Sequence, residues 1–359
     1  PPRQPCPAVS VIFPTYNVSK YLPDCLNSVL AQTFQDFEAI VVDDCSTDNS
    51  KGIAESFLEK FGGRLKILSM EKNSGGAALP RNKGLHFSRG EYIFFMDPDD
   101  MLTPNALEEM YNLAKDFDAD VVYLQMHYES NEAGTEFRLK VRPGEYTMNQ
   151  PQFETYDLVE RIHRRILEDR IQPEPWTKLV RRDLLTENEI FFYHVRPFDD
   201  TLWTCILLLY AKKWLHVPRP LYIQRMSANS IMRSEKTVQQ KVETFISPLF
   251  IGLENLDKDL KRIDFFRHNP DYHYAILERF VRGHFNAAFN ENLQISPSEF
   301  YATIQWILEK TFGKQNALIS AMCTYINVQQ RIYASRQQQF DASVAQAQKR
   351  IAELEARLK

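Results

Sequence analysis

Over the first 125 residues, short runs that are apolar throughout alternate strictly with stretches of helical spacing, and this limits the chain to very few folds. Residues 8–13 (AVSVIF), 37–42 (FEAIVV), 65–69, 91–96 (EYIFFM) and 121–124 read as strands. Runs without polar alternation belong to strands covered on both faces. Residues 18–32, about 50–61 and 78–88 read as helices, as does the segment after Thr103 and Pro104, where Thr103 is placed to cap and Pro104 to open the first turn. Strand and helix in alternation build crossover units on a mostly parallel sheet. The expected fold class is therefore α/β, doubly wound.

After Met126 the rhythm breaks. Residues 128–151 read as a loop with one hairpin, and 153–169 as a helix with a basic face at Arg161, His163, Arg164 and Arg165. The segment PWTKLVRRDLL follows, then a helix after Asp200 and short strands near 215–217 and 221–224. From about Ser234 the chain reads as helical. Tyr333, Phe340, Val344, Ala347, Ile351, Leu354 and Leu358 fall largely on a three-four spacing, the seam of a coiled coil or a helix hairpin. Gln330 and Gln337 at seam positions weigh against self-association. Two domains are expected, 1–232 and an all-helical 233–359, with a homo-oligomer through the latter as one option.

Composition removes several classes. Lys plus Arg number 43 against 47 Asp plus Glu, a net charge of −4, so there is no global attraction to nucleic acid. The densest apolar stretch, 205–211, is far short of the roughly 20 residues that span a bilayer. Five scattered cysteines (Cys6, Cys25, Cys45, Cys205, Cys323) with no CxxC pair give little support to a zinc site or a disulfide framework. These features lead to the expectation of a cytoplasmic protein. The basic helix is read either as a solvated face or as a peripheral contact at the inner face of the cell membrane.

Doubly wound sheets bind ligands beyond the carboxyl ends of their strands. Strand one ends in Pro14, Thr15, Tyr16 and Asn17, and strand two in Asp43-Asp44-Cys45-Ser46-Thr47-Asp48. The loop before strand four contains Asn73, Gly75, Gly76 and Arg81, and strand four ends in Asp97-Pro98-Asp99-Asp100. Each cluster alone could be a helix cap; their coincidence on one rim points to a site. Between Ser10 and Tyr21 there is no glycine, so the GxGxxG turn of a dinucleotide-binding dehydrogenase is absent, and no GxxxxGK[ST] loop occurs. Carboxylates as crowded as Asp97, Asp99 and Asp100 repel one another unless a cation intervenes, and hard oxygen ligands suit Mg2+ or Mn2+.

SVIFPTYN, VVDDCSTDNS, NSGGAALPRNKGL and EYIFFMDPDD, in this order, resemble the family 2 glycosyltransferases of the GT-A fold. The resemblance extends through PWTKLVRRDLL, FDDTLW and PLYIQRMSANSI, which are similar to bacterial members that build surface polysaccharides. It implies an inverting enzyme with a nucleotide-sugar donor and a divalent metal. By resemblance Pro14, Tyr16, Asn17, Asp44 and Arg81 form the donor pocket, Asp97 reaches ribose and sugar, and Asp99, with Asp97, holds Mn2+ or Mg2+. An aromatic ring at Tyr16 can stack on a base, and the Asp44 carboxylate can accept the N3–H of uracil, which favours a UDP-sugar. Arg225 and Ser230 match a loop that closes over the diphosphate, and Trp176 and Lys178 the acceptor side.

Asp199-Asp200 resembles the family's Glu-Asp pair, with Asp200 as base and Asp199 as its positioning neighbour; either could instead serve only as a helix cap. The expected function is transfer of a hexose or N-acetylhexosamine from UDP to a hydroxyl of a surface polysaccharide, teichoic acid or lipid-linked oligosaccharide. The alternative is a non-catalytic nucleotide-sugar-binding or scaffold subunit.

Overall fold

The computed structural model describes residues 6–141, 149–226 and 247–289, together with scattered residues between 335 and 349. The chain divides into one compact unit of Pro1–Glu235 with Pro248–His284, and a second of Lys236–Ser247 with Phe285–Lys359.

The first unit is built on an eight-stranded sheet. Strand β1 (Val9–Thr15) is buried along its whole length, as its apolar run requires. It lies parallel to β2 (Phe37–Asp43) on one side and β4 (Tyr92–Phe95) on the other, with β3 (Leu65–Ser69) outside β2. Helices α1 (Leu22–Leu30), α2 (Ser50–Ser56) and α3 (Ala78–Phe87) connect these strands. The order β3-β2-β1-β4-β10-β6-β11-β9 is mostly parallel, in line with an α/β doubly wound domain. Here β6 is Val121–Leu124, β9 Gln152–Phe153, β10 Lys178–Arg181 and β11 Trp214–Val217. A second sheet joins β5 (Met101–Leu102), β12 (Tyr222–Arg225), β7 (Met126–Ser130) and β8 (Phe137–Val141). β7 and β8 pair antiparallel and supply the expected hairpin.

Helix α3 sits unusually close to β1. A Cβ at Gly84 would lie 2.3 Å from Ile12 Cγ2, so only glycine allows this approach, which brings Arg81 of the same helix to the rim of the sheet. Helix α4 (Ala106–Asp116) covers the opposite face, and α5 (Leu158–Arg161), α6 (Arg182–Glu187) and α7 (Asp199–Tyr210) follow. Beyond them, α8 (Ser247–Arg262), α9 (Asp264–His268) and α10 (Pro270–Phe289) extend the fold. A Cβ at Gly252 on α8 would meet Leu202 Cδ1 of α7 at 2.6 Å, so these two helices are in direct contact.

Several local expectations differ from the structure. Strand β10 inserts antiparallel between β4 and β6, where the mixed sequence KLVR carries no apolar run. The expected helix over 153–169 is instead the end of β9, the short α5 and a π-helical turn over Ile162–Leu167. Thr103 does not cap α4, which begins at Ala106; its backbone N–H and hydroxyl are both given to the Leu221 carbonyl, extending the contact of β5 with β12. Residues 248–284, expected in a separate helical domain, pack with the first unit. The expected seam lies mostly outside the described residues; Phe340 and Val344 of it are described, helical and exposed. No described helix is long and apolar enough to cross a membrane, and Cys6, Cys25, Cys45 and Cys205 are free thiols.

Candidate active site

The rim at the carboxyl ends of β1, β2 and β4 gathers most of the residues singled out in the sequence. Pro14 closes the buried β1, and Tyr16 just beyond it leaves 45% of its surface open. Asn17 adopts a left-handed backbone (φ 51°) and accepts hydrogen bonds through Oδ1 from Thr47 N at 2.7 Å and Asp48 N at 3.3 Å. Asp48 in turn accepts from Ser19 N and Ser50 N, each at 2.9 Å. Burial acts to raise the Asp48 pKa, but the bonds from Ser50 and Ser19 win and hold it at about 2. Asn17, itself exposed, therefore braces the two loops against each other.

Asp44 is buried at the end of β2 and orders the loop opposite. Its carboxylate accepts from Ser74 N at 2.9 Å, Ser74 Oγ at 2.8 Å and Asn73 Nδ2 at 3.3 Å. That loop is stapled to the segment entering α7: His194 Nε2 lies 2.6 Å from the Ser74 carbonyl, and Arg196 Nη1 donates to the Gly75 carbonyl at 2.9 Å. Asn82 and the Phe192 backbone exchange two further bonds, at 2.8 and 2.9 Å.

Arg81 joins the two halves of the site. Its Nη1 donates to Asp200 Oδ1 at 2.5 Å and its Nη2 to Asp97 Oδ1 at 3.1 Å, with the guanidinium over the Phe192 ring. Carboxylates 103 positions apart in the sequence, Asp97 and Asp200, are thus held by one buried cation. Burial, reinforced by the charges of Asp199 and Asp97 and opposed by Arg81, pushes the Asp200 carboxyl up to about 7. Burial raises Asp199 as well, against the pull of Arg81.

A family model, Glycosyl transferase family 2, matches residues 10–170. Glycosyltransferase GlyG of Streptococcus pneumoniae serotype 4 is 33% identical over 272 residues, spanning 74% of this chain and 87% of that protein. The chain belongs to the family 2 glycosyltransferases. Poly(ribitol-phosphate) beta-N-acetylglucosaminyltransferase TarP of Staphylococcus aureus is 42% identical over 116 residues, which is 32% of the glycosyltransferase described here and 35% of TarP. The crystal structure of S. aureus TarS 1-349 in complex with UDP-GlcNAc aligns with a TM-score of 0.63 at 23% identity, covering 89% of this chain and 87% of that one, and so shares its GT-A fold.

In this glycosyltransferase the Asp97–Asp100 turn fits a hard cation. Burial first, and then the charge of Asp97, push Asp99 up to about 6, and burial with both neighbouring acids pushes Asp100 well up. Such repulsion is what a divalent ion relieves. Among the described residues no three His, Cys, Asp or Glu side chains are grouped to hold a metal. A cation here would take at most Asp97 and Asp99 from the chain, and oxygens of a diphosphate and water for the rest.

Three of the residues carried over from the family sit differently from expectation. Trp176 is 3% exposed and stacks on Tyr222, and Lys178 is fully buried, its Nζ donating to the carbonyls of Gln172 at 2.7 Å and Glu174 at 2.8 Å. Neither reaches the surface where an acceptor would lie. Arg225 is buried with Nη2 on Asp24 at 2.9 Å, Nε on the Asp99 carbonyl at 3.0 Å and Nη1 on the Glu132 carbonyl at 2.8 Å, so it braces the turn from behind. Ser230 lies outside the described residues. Sequence reading missed Ser74, Arg196 and Tyr222, and gave Asp100 no role apart from the crowded acids. His194, six residues before Asp200, gains its place from its contact with Ser74.

Proposed function

We propose that this enzyme transfers a hexose or N-acetylhexosamine, N-acetylglucosamine being the first to test, from a UDP-sugar to a glycan hydroxyl with inversion at the anomeric carbon. The observation that carries it is Arg81 holding both Asp97 and Asp200. Donor recognition falls to Tyr16, whose open ring would stack on uracil, and to the Asp44 loop. In the transfer the acceptor oxygen bonds to the anomeric carbon, the bond to the diphosphate breaks with its electron pair, and the hydroxyl proton passes to Asp200. Arg81 occupies Asp200 Oδ1, so Oδ2 is the oxygen assigned to the proton. With a pKa raised to about 7, Asp200 is tuned for that exchange near neutral pH. A bound Mn2+ or Mg2+ would neutralise charge on the departing diphosphate, with Asp99 and Asp97 to hold it.

The TarS complex with UDP-GlcNAc and the poly(ribitol-phosphate) relatives support a UDP-sugar and a surface-polymer acceptor, teichoic acid among them. The test is a panel of UDP-sugars with Mn2+, scored by UDP release and by transfer onto polyol-phosphate and lipid-linked glycans. Binding of UDP without transfer from any donor would instead favour a scaffold role. The chain beyond residue 284 is assigned to assembly or acceptor binding.

A further inference from the structure

The Asp97–Asp100 turn is held from beneath by a single strand. Tyr222, fully buried on β12, donates its hydroxyl proton to Asp100 Oδ2 at 2.6 Å and accepts the Asp97 backbone N–H at 3.3 Å. Three residues on, the Arg225 backbone N–H donates to Asp100 Oδ1 at 2.7 Å, and its Nε to the Asp99 carbonyl. Both oxygens of Asp100 are thereby engaged, and Arg81 engages Asp97. The Asp99 carboxylate is the one that none of Tyr222, Arg225 and Arg81 touches. The Tyr222 ring is itself fixed, stacked on the Trp176 indole with centroids 4.4 Å apart and planes 16° apart. Trp176, expected at the acceptor, is therefore bound into the floor of the turn.

We propose that Tyr222 is a positioning residue for the cation: its hydroxyl, braced by Trp176, spends Asp100 on the fold and sets the turn so that Asp99 meets the metal. This rests on the metal-dependent reading above. A ligand's orienting partner characteristically matters about 10–100-fold in metal affinity, even when it never touches the ion.

The experiment measures Mn2+ binding to the full chain in the presence of UDP, from the electron paramagnetic resonance signal of free Mn2+. Tyr222→Phe removes one oxygen and is expected to weaken Mn2+ binding about 10–100-fold. Tyr92→Phe is the matched control: it deletes an equally buried hydroxyl, bonded to the Ala119 carbonyl at 3.1 Å, away from the turn, and should keep wild-type affinity. Wild-type Mn2+ affinity in Tyr222→Phe, or an equal loss in Tyr92→Phe, overturns the proposal while leaving the metal reading in place. Failure of the unaltered chain and of Asp99→Asn to differ in Mn2+ binding would instead sink that reading, and this inference with it. Should Tyr222→Phe not fold, Trp176→Leu tests the same brace, and unchanged affinity there is equally fatal.

Discussion

Glu154, enclosed at the β9–β11 edge, and the Asp97–Asp200 group, partly open at the strand ends, are acids of one fold, and their surroundings are opposite. Glu154 Oε2 accepts from Arg165 Nε and lies 3.1 Å from His216 Nε2, with Arg164 3.5 Å from Oε1. Burial acts to raise its pKa, yet the bond from His216 and the charge of Arg165 hold it well below the usual carboxylate range. At the strand ends Asp97, Asp99, Asp100, Asp199 and Asp200 share Arg81 and Arg225, and Asp99, Asp100, Asp199 and Asp200 are all shifted upward, with burial the largest cause. A group whose charge is balanced within the protein serves the fold. One left with surplus negative charge is completed by what it binds.

The largest effect that can break this contrast is chemical. Asp200→Asn keeps the shape of the side chain but cannot take a proton, so transfer should fall about 10²–10⁴-fold in kcat. UDP binding by calorimetry should change little, because Arg81 retains Asp97. Transfer at near wild-type rate would move the base elsewhere, with Asp199 the next residue to test.

Glu154→Gln is the mirror experiment. Removing the acid strands Arg165 in a buried site, so unfolding should become easier by about 3 kcal/mol. The readout is denaturant unfolding alongside Mn2+ binding, and only the former should move. A loss of metal affinity without loss of stability would show that the two acidic groups are not independent.

Their pH responses should carry opposite signs. Asp200 has a folded pKa raised to about 7, so the folded state grips its proton and this group's support for folding drains away as pH rises from the ordinary carboxylate range towards about 7. Glu154 is depressed, so its contribution is present above the ordinary carboxylate range and is lost as pH falls below it. Activity follows Asp200 in the other direction, since only the ionised base accepts a proton: kcat/KM should decline below about pH 7. A rate flat from pH 5 to 8 would remove Asp200 from the role, and thermal melts of Asp200→Asn and Glu154→Gln across the same range separate the two signs.

How much of this was legible in the chain depends on where each residue's partners come from. The runs of β1, β2, β4 and β6 stand out because a strand buried on both faces is predominantly apolar, its few polar residues being paired as Ser10 is with Glu38. Strand β10 did not: Lys178 looks like a surface residue until its ammonium is seen on the carbonyls of Gln172 and Glu174. Asp44, Asp97, Asp99 and Asp200 could be picked out because acids at strand ends and helix starts stand out locally. Arg225 and Trp176 read from sequence as ligand residues, whereas their partners, Asp24, Asp99 and Tyr222, lie at sequence distances that no local pattern encodes. Tyr222 carries no signal in sequence, because a tyrosine in a short apolar strand reads as core.

The smallest effect concerns the basic helix. Arg161 is buried, donating to the carbonyls of Leu208, Ala211 and Thr155, where it closes the C-terminal end of α7. Arg165 is committed to Glu154, and His163 lies 3.3 Å from the Tyr272 hydroxyl. Arg164 remains the half-exposed member, paired at 3.4 Å with Glu160 one turn back and lying 3.5 Å from Glu154 Oε1. The exposed Glu160 pair contributes at most about 0.5 kcal/mol, and Glu154 keeps Arg165 and His216 when Arg164 is removed. Arg164→Ala should therefore leave stability within that margin, transfer unchanged, and sedimentation with anionic vesicles the same as for the parent chain. A clear loss of vesicle binding would restore the face to a membrane role, because the internal pairs of Arg161 and Arg165 would then not account for the basic run.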